Sequence, residues 1–366
     1  MAEFSKGSGY SKSDLIDKGT PVILYGRLYT KYETVIEDVD TFVDMKEKFV
    51  ISHGGEVIVP SSGETAEDIA RASVVEKSGV ILGGDLNIIK TDSVISPTFL
   101  AITISNGNQQ KELSKRAQGK SVVHIGNADL KEVVLQIPSL PEQTRIGKFF
   151  RTLDDAITLH KRKLEGLKEL KRGYLQQMFP QTGESVPRVR FDGFTEPWEE
   201  RKLGEISQIK TGASDVQDAD PNGEYPFFVR SENIERSNKY LFNGEAILIP
   251  GEGRLGDIYH YINGKFDFHQ RVYKISNFAN NTYGLFILYT MQKTFKQHAM
   301  TFTVKATVDS LRLPMLTDFN IFLPSLPEQT VIGNFFQNFD NQITAQQQKL
   351  SQLKQLKSAY LQKMFV

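Results

Sequence analysis

A 43-residue segment that occurs twice constrains the fold of this 366-residue chain more than any other feature. Residues 137–179 read IPSLPEQTRIGKFFRTLDDAITLHKRKLEGLKELKRGYLQQMF, and residues 323–365 read LPSLPEQTVIGNFFQNFDNQITAQQQKLSQLKQLKSAYLQKMF. The copies lie 186 positions apart without a gap, and 25 of their 43 positions are identical. A solenoid needs at least three units of short period. Two distant copies instead predict a duplicated half and a pseudo-two-fold molecule.

Each copy predicts one long helix. Pro138 and Pro141 favour an extended start, and Thr144 and Thr330 are suitable N-cap residues. Apolar side chains then recur at alternating spacings of three and four, which is the seam of a coiled coil. These helix–helix positions are Ile146, Phe150, Leu153, Ile157, Leu164, Leu167 and Tyr174 in the first copy and Ile332, Phe336, Phe339, Ile343, Leu350, Leu353 and Tyr360 in the second.

Polar residues interrupt both seams at matching places. His160 matches Gln346, Lys171 matches Lys357, and polar seam residues tend to fix register. Each helix is about 52 Å long at about 1.5 Å per residue. We expect the two helices to pack antiparallel and to hold two domains apart, rather than to lie inside one globular core.

The segments outside the repeats show short apolar runs between turns, which are typical of strands, and one helical run each. The closing strand of the first domain is predicted at residues 132–137. The fold class is therefore α+β (mixed α/β), with two globular domains separated by two long antiparallel coiled-coil helices. The predicted parts are a domain at 1–143, a helix at 144–179, a linker at 180–197, a domain at 198–329 and a helix at 330–366. The opening segment Trp198–Ile206 has no counterpart at the start of the first domain, so an N-terminal strand is predicted to be missing there.

No catalytic motif emerges from the sequence. The string Gly251-Glu-Gly-Arg-Leu-Gly256 matches GxGxxG, but a strand rather than a helix is predicted after it, so a tight turn is preferred to a dinucleotide site. The chain has no Cys, and its six His lack the paired spacing of a metal site. No apolar run approaches the roughly 20 residues of a membrane span. These features predict a soluble, cytoplasmic protein with no catalytic or metal-binding residues.

Charge is distributed unevenly although the chain carries 44 basic and 44 acidic residues. The first helix, 144–178, has 9 basic and 4 acidic residues, and residues 1–136 have 15 and 19. Zero net charge alone argues against a general nucleic-acid binder. Basic, aromatic and amide side chains nevertheless cluster at matching places in both halves, and such side chains contact phosphates and base edges. The candidate DNA-binding residues are Lys6, Tyr10, Lys12, Arg27, Tyr29, Lys31, Tyr32, Lys111, Lys115, Arg116, Lys120, Lys210, Thr211, Ser214, Arg230, Asn233, Arg254, His269, Gln270, Arg271, Lys296, Lys305 and Arg312.

The repeated string PSLPEQ-x2-IG-x-FF, with the later KL-x2-LK-x-LK-x2-YLQ-x-MF, closely resembles the conserved helical regions of the specificity (S) subunit of type I restriction–modification enzymes. The segment RFDGFTEPWEERKLGEI resembles that family's opening of a target recognition domain. The resemblance implies that each domain reads one half of a bipartite double-stranded DNA target. The helix pair would set the spacer and dock two methyltransferase (modification) subunits.

The same resemblance implies that this chain holds no cofactor. S-adenosylmethionine, ATP and Mg are expected on the partner subunits, which include restriction subunits in the full complex. A different class of protein remains open: a non-catalytic coiled-coil adaptor presenting two protein- or ligand-binding domains. Preference for a bipartite DNA duplex distinguishes the two.

Overall fold

The computed structural model describes residues 2–119, 121–181, 183–302 and 310–365. The chain divides into two compact units, of which unit 1 comprises residues 1–161 and 348–366 and unit 2 comprises residues 162–347. Each unit therefore contains part of both repeated helices. Within the described ranges, no helix is long and apolar enough to cross a membrane.

The elements before the first repeated helix are all short, and the helix itself is long. They are β1 Ala2–Lys6, β2 Leu15–Ile16, β3 Thr20–Ile23, α1 Arg27–Thr30, β4 Val35–Ile36, β5 Phe42–Val43, β6 Glu56–Pro60, β7 Ser62–Gly63, α2 Ala66–Ile69, β8 Ser73–Val75, β9 Ile81–Leu82, β10 Leu86–Thr91, α3 Pro97–Ile104, α4 Gly107–Arg116, β11 Val123–His124, α5 Asn127–Lys131 and α6 Leu140–Gln177.

The remaining elements follow the first repeated helix and end with the second. They are β12 Glu199–Lys202, α7 Leu203–Ile206, β13 Gln208–Thr211, β14 Tyr225–Phe228, β15 Ile234–Ser237, β16 Phe242–Pro250, β17 His260–Phe268, β18 Val272–Ser276, α8 Gly284–Thr290, a π-helical turn Met291–Phe295, α9 Lys296–Met300, α10 Leu313–Thr317, β19 Asn320–Leu323 and α11 Leu326–Met364.

The main sheets of the two units share a strand order. Unit 1 has β1-β10-β6-β8-β4, and unit 2 has β13-β18-β16-β17-β14-β15. The registers also agree, since Phe4 faces Ile89 and Ile209 faces Ile275, and Ile89 and Ile275 are 186 positions apart. Helices α3 and α8, and α5 and α10, follow at the same offset. The predicted mixed α/β duplication is confirmed.

One glycine in each unit shows how closely the equivalent loops match. Gly7 follows β1 and Gly212 follows β13. A Cβ at Gly7 would lie 1.9 Å from the carbonyl oxygen of Gly83, and one at Gly212 would lie 1.9 Å from that of Phe268. Only a residue without a side chain permits this approach of two backbones.

Both repeated helices begin four residues before the predicted N-caps. Helix α6 begins at Leu140 and α11 at Leu326, and the hydroxyls of Thr144 and Thr330 donate to the carbonyls of Leu140 and Leu326 inside the helix. The predicted starts at 144 and 330 are therefore wrong. A proline is compatible with the first helical turn, where its missing N–H would have had no partner. Pro141 therefore lies within the helix that it was expected to precede.

A buried glutamine ties the start of each repeated helix to its domain. Gln143 accepts from the Ser96 amide at 2.9 Å and donates to the carbonyls of Val94 and Pro138. Gln329 accepts from the Tyr283 amide at 2.9 Å and donates to the carbonyls of Asn281 and Pro324. Each side chain is 1% exposed. The Gln of the PEQ motif thus joins the helix to the loop before α3 or α8.

The helices run antiparallel within each unit. In unit 1, Phe150 lies against Phe365 and Phe149 against Tyr360. In unit 2, Tyr174 lies against Phe335 and Phe339. Tyr360 is 39% exposed, whereas the other predicted seam residues are buried or half-buried.

The seam lysines form ion pairs that the repeat predicts to be equivalent. Lys171 Nζ lies 2.6 Å from Asp340 Oδ1, and Lys357 pairs with Asp154. Asp154 and Asp340 are themselves 186 positions apart. The same pair therefore occurs once in each unit, with the helix that supplies the lysine exchanged.

The predicted closing strand at 132–137 is wrong. Its counterpart β19 forms a ladder with β12, in which Glu199 faces Leu323. Residues 134–137 form no ladder with any described strand. Strand β1 corresponds to β13, so β12 has no counterpart among the described residues of unit 1. A strand needs a partner for its backbone hydrogen bonds.

Replacing the buried glutamine tests its anchoring role. We expect Gln329→Met to lower the unfolding free energy of unit 2 by about 2–3 kcal/mol, because three hydrogen bonds are lost and buried backbone groups are left unpaired. Gln347→Met on the exposed face of α11 is the matched control and should change stability by less than about 0.5 kcal/mol. Urea unfolding followed by hydrogen exchange in α8 measures both. Equal effects of the two substitutions would contradict the anchor.

Candidate nucleic-acid interface

Three loops of unit 2 bring predicted residues together around one carboxylate. They follow β14, β16 and β17, and they carry Arg230, Glu252 and Arg271. Arg230 Nη1 lies 3.1 Å from Glu252 Oε2, and Arg271 pairs with the other carboxylate oxygen. Burial raises the pKa of Glu252, but hydrogen bonds from both arginines outweigh it and hold the pKa below its ordinary value. The two guanidinium groups are thereby oriented side by side.

The GxGxxG string forms the middle loop of this arrangement. Gly253 and Gly256 have φ values of +86° and +68°, in the region that favours glycine. Strand β17 follows the string, and no helix N-terminus is available for a pyrophosphate. The loop instead presents Glu252 and Arg254 at the surface.

Further ion pairs extend from this loop. Arg254 lies 3.0 Å from Glu232 and 3.7 Å from Asp257, and Lys296 lies 2.7 Å from Asp257. We call Arg230, Glu232, Glu252, Arg254 and Arg271 the arginine–glutamate cluster. All three arginines are exposed. Exposed ion pairs in water contribute little to stability, so these arginines can exchange a carboxylate for another anion at small cost.

Several other candidate DNA-binding residues of unit 2 also lie at the surface. Asn233 and Gln270 are exposed, and Gln270 donates to Asp215 at 2.7 Å. Lys210 and Thr211 are exposed on β13, and Arg312 is exposed beside α10. Lys305 and, in the first half, Lys120 lie outside the described residues.

Two predicted contact residues of unit 2 are corrected to internal roles. Ser214 is fully buried and donates to Asp267 Oδ1 at 2.7 Å. His269 is 2% exposed, and its Nδ1 accepts from the Arg271 amide at 2.9 Å. Burial lowers the pKa of His269, which suits a neutral ring that accepts a hydrogen bond. Both side chains shape the loops but are shielded from a ligand on this surface.

In unit 1, the residues predicted at 27–32 are largely engaged within the protein. Arg27 is 9% exposed and pairs with Glu33 and Asp40, each at 2.7 Å. Lys31 pairs with the same Asp40 at 2.8 Å. Hydrogen bonds from Lys31 and then Arg27 lower the pKa of Asp40 to about 2. Arg27 is therefore corrected from a DNA contact to an internal ion-pair residue.

Tyr10 is also corrected, because it is 3% exposed and its hydroxyl accepts from the Lys46 amide at 2.6 Å. Tyr29 is half-buried and Tyr32 is exposed, with Arg71 between them at 5.9 Å and 5.2 Å from their rings. Sequence analysis missed Arg71. Its distance of some 40 residues from the two tyrosines along the chain gave no signal.

Helix α4 carries the most available positive charge among the predicted residues of unit 1. Lys111 and Lys115 are one helical turn apart and exposed, and neither forms an ion pair with a described residue. Arg116 is paired with Glu112 at 2.9 Å. Lys6 and Lys12 are exposed near the start of the chain. Free lysines on one helix face are suited to phosphate contacts.

The loops after β6 and β16 occupy the same place in the shared sheet but differ in chemistry. In unit 1 this loop includes Ser62, whose carbonyl accepts from the Tyr29 hydroxyl and whose Oγ lies 3.1 Å from His124 Nδ1. In unit 2 it includes Glu252 and Arg254 of the arginine–glutamate cluster. One scaffold thus presents hydroxyl and imidazole groups in one unit and guanidinium and carboxylate groups in the other.

Sequence analysis also missed a buried lysine in unit 2. Lys274 is 5% exposed, donates to Ser276 Oγ at 2.9 Å and has Nζ 3.3 Å from the centre of the Phe242 ring. Burial, with a smaller contribution from Lys210, lowers its pKa to about 8. Among the residues that the structure describes, no three His, Asp or Glu side chains form a group that could hold a metal ion.

Comparison with known proteins identifies the class to which this scaffold belongs. The family model for the type I restriction modification DNA specificity domain matches residues 1–169 and 195–355. The chain therefore belongs to that family.

Two curated relatives illustrate the similarity. The specificity subunit of the type I restriction enzyme EcoDI from Escherichia coli is 30% identical over 166 residues, covering 45% of this chain and 36% of that protein. The MjaVIII specificity subunit from Methanocaldococcus jannaschii is 21% identical, covering 86% of this chain and 79% of that protein. The aligned region thus spans about a third of the length of the E. coli relative.

Solved structures share the fold. The S subunit of a type I restriction–modification system from M. genitalium matches with a TM-score of 0.72 at 16% identity, covering 100% of this chain and 94% of that one. A chain from a study of complex assembly and conformational transition of the type I system matches with a TM-score of 0.52 at 17% identity, covering 100% and 97%.

The α4 lysines provide a test of phosphate contact. We expect Lys111→Glu with Lys115→Glu to weaken binding to all DNA sequences by at least tenfold at moderate salt, and to reduce the salt slope by about one to two. Exposed Lys265→Glu on β17 is the control and should have a smaller effect. Binding isotherms at several salt concentrations measure this. An unchanged salt slope would remove α4 from the interface.

The buried Lys274 predicts a pH dependence of stability. Its pKa is about 8 in the folded chain and roughly 10.4 when unfolded. Between these values the unfolded state binds more protons, so this group makes unfolding free energy rise with pH. We expect Lys274→Met to gain most stability over the unsubstituted chain below pH 8, with the difference shrinking toward pH 10.5. Unfolding midpoints measured across this pH range test the prediction, with Lys265→Met as the control. A stability difference between Lys274→Met and the unsubstituted chain that stays constant with pH would contradict it.

Proposed function

We propose that this chain is the DNA-specificity subunit of a type I restriction–modification complex. Units 1 and 2 each contain a target recognition domain, and each reads one half of a bipartite double-stranded target. The observation that carries the proposal is the repeated scaffold with unlike loops. Ser62 occupies in unit 1 the place that Glu252 occupies in unit 2, and its neighbour His124 occupies the place of Ser310. Base edges are read by such side-chain donors and acceptors, so the two half-sites differ in sequence.

In this arrangement, recognition of a specific DNA sequence does not require strong nonspecific attraction to DNA. Arg230 and Arg271 are held by Glu252, and Arg254 by Glu232. A phosphate or guanine edge competes with those carboxylates, so random sequence gains little from the arginines. The zero net charge of the chain likewise gives little nonspecific attraction to DNA. The partner subunits then supply much of the positive charge around the DNA backbone.

The repeated helices act as the spacer and as the docking site for two methyltransferase subunits. Helices α6 and α11 have 38 and 39 residues, or about 57 Å at ~1.5 Å per residue. This length corresponds to roughly 17 base pairs at 3.4 Å each. S-adenosylmethionine, ATP and Mg are assigned to the methyltransferase and restriction subunits of the cytoplasmic complex. This chain serves as their non-catalytic DNA reader.

The decisive experiment is methylome sequencing of cells that express this chain with its methyltransferase partner. The expected result is adenine methylation at two unlike half-sites with a fixed gap. A matched strain lacking only this chain should lose that methylation. Absence of any bipartite motif, with the complex assembled, would favour a coiled-coil adaptor instead.

Lengthening the spacer tests its role as a ruler. One heptad is inserted after Lys161 and one after Gln347, where the chain passes between the two units. We expect the gap in the methylated motif to grow by about three base pairs, because seven residues add roughly 10 Å. Insertion of three residues at the same places breaks the seam and should abolish assembly. A heptad variant that assembles normally and keeps the original gap would refute the ruler.

A further inference from the structure

The backbone of Arg271 is fixed on both sides, in the loop that follows β17. Its amide donates to His269 Nδ1 at 2.9 Å, and its carbonyl accepts from the Gly251 amide at 2.8 Å. His269 is 2% exposed, and a Cβ on Gly251 would lie 2.9 Å from the Arg271 carbonyl oxygen. The Arg271 side chain is nevertheless 54% exposed. Its guanidinium is therefore presented to solvent from a tightly held backbone.

Glu252 lies between Arg271 and Arg230 and keeps the capacity to accept another hydrogen bond. One carboxylate oxygen pairs with Arg271, and the other lies 3.1 Å from Arg230 Nη1. Burial raises the pKa of Glu252, but hydrogen bonds from both arginines hold it below its ordinary value, so the carboxylate is ionised at neutral pH. An ionised carboxylate has about four lone-pair sites. The Glu252 side chain is 25% exposed, so a donor from outside can reach one of them.

Arg271 likewise keeps donors that its ion pair does not use. A guanidinium carries five N–H donors in one plane, and the pair with Glu252 engages a single nitrogen, Nη1. The remaining donors suit two acceptors that lie side by side, because a guanidinium binds such groups through two parallel hydrogen bonds. The exposed face of this pair thus offers a bidentate donor next to a charged acceptor.

This order of groups matches the major-groove edge of one G·C base pair. Guanine presents two neighbouring acceptors, N7 and O6, which suit the guanidinium, and the paired cytosine presents the N4 amino donor, which suits the carboxylate. An A·T pair has an amino donor in place of O6 and the thymine O4 acceptor in place of the cytosine amino group. Arginine then loses one hydrogen bond, and the carboxylate faces another acceptor. Such a pair is therefore rejected by both side chains.

We propose that Arg271 and Glu252 together read one G·C base pair in the half-site of unit 2. Arg271 donates to guanine N7 and O6, Glu252 accepts from cytosine N4, and Arg230 keeps the carboxylate oriented. This inference rests on the function proposed above and adds the identity of one base pair. It makes Glu252 a specificity-determining residue as well as a counter-ion. The equivalent position in unit 1 is Ser62, so the same contact is not expected in the other half-site.

The first test measures how the complex of this chain with its methyltransferase subunits binds duplexes of its methylated motif. 7-Deazaguanine, which lacks N7, replaces each guanine in turn, and N4-methylcytosine, which blocks the major-groove amino hydrogen, replaces each cytosine. We expect one G·C pair, in one half-site, at which each analogue weakens binding about tenfold. Arg271→Ala should remove the effect of 7-deazaguanine, and Glu252→Ala that of N4-methylcytosine. Exposed Glu235→Ala on β15 is the matched control and should keep both effects.

Each ratio compares a modified with the unmodified duplex for the same protein, so a general loss of stability does not affect it. In cells, Glu252→Ala should relax the methylated motif at that one base pair and leave the other half-site and the gap unchanged. Analogue effects that persist in both variants, or a bipartite motif with no sensitive G·C pair, would overturn this inference and leave the proposed function standing. A complex that yields no bipartite motif would overturn both.

Discussion

The structure depends on one ion pair that occurs in both units. Asp340 accepts from Lys171 on the other repeated helix and from the Tyr289 hydroxyl on α8. Asp154 accepts from Lys357 and from the Thr34 hydroxyl ahead of β4. Each carboxylate therefore fixes the register of two helices and joins them to the adjacent sheet domain. A partly buried pair of this kind contributes more to a unique register than to stability.

The ion pair joins equivalent positions of the two repeated helices. The repeat that makes these positions equivalent also made much of the architecture predictable. An identical offset of 186 implies equivalent elements, and in the structure it relates α3 to α8 and α5 to α10. The heptad seam predicted which helix faces are covered. The helix starts were predicted four residues too late. Pro141 is compatible with the first turn of a helix and also with the end of an extended segment, so the sequence alone does not distinguish the two. The strand predicted at 132–137 is wrong because a strand also needs a partner for its backbone hydrogen bonds, which its own residues do not provide.

The sequence singled out candidate residues of the site, among them Arg230, Arg254 and Arg271, without placing their loops together. It could not show that Glu252 lies between two arginines, since their separations along the chain are about 20 residues. Ser214 and His269 look like surface polar residues in the sequence. In the structure both are buried, and Ser214 donates to Asp267 while His269 accepts from the Arg271 amide.

Unit 2 is one continuous stretch of chain, whereas unit 1 is closed by residues 348–366. Phe365, near the end of the chain, packs with Phe99 and Phe150 in the core of unit 1. During synthesis, unit 2 is therefore complete while unit 1 still lacks one side of its helix pair. Residues 1–161 are made before unit 2, but the unit to which they belong closes after it. A chain that stops at residue 347 would contain a finished second unit and an open first one.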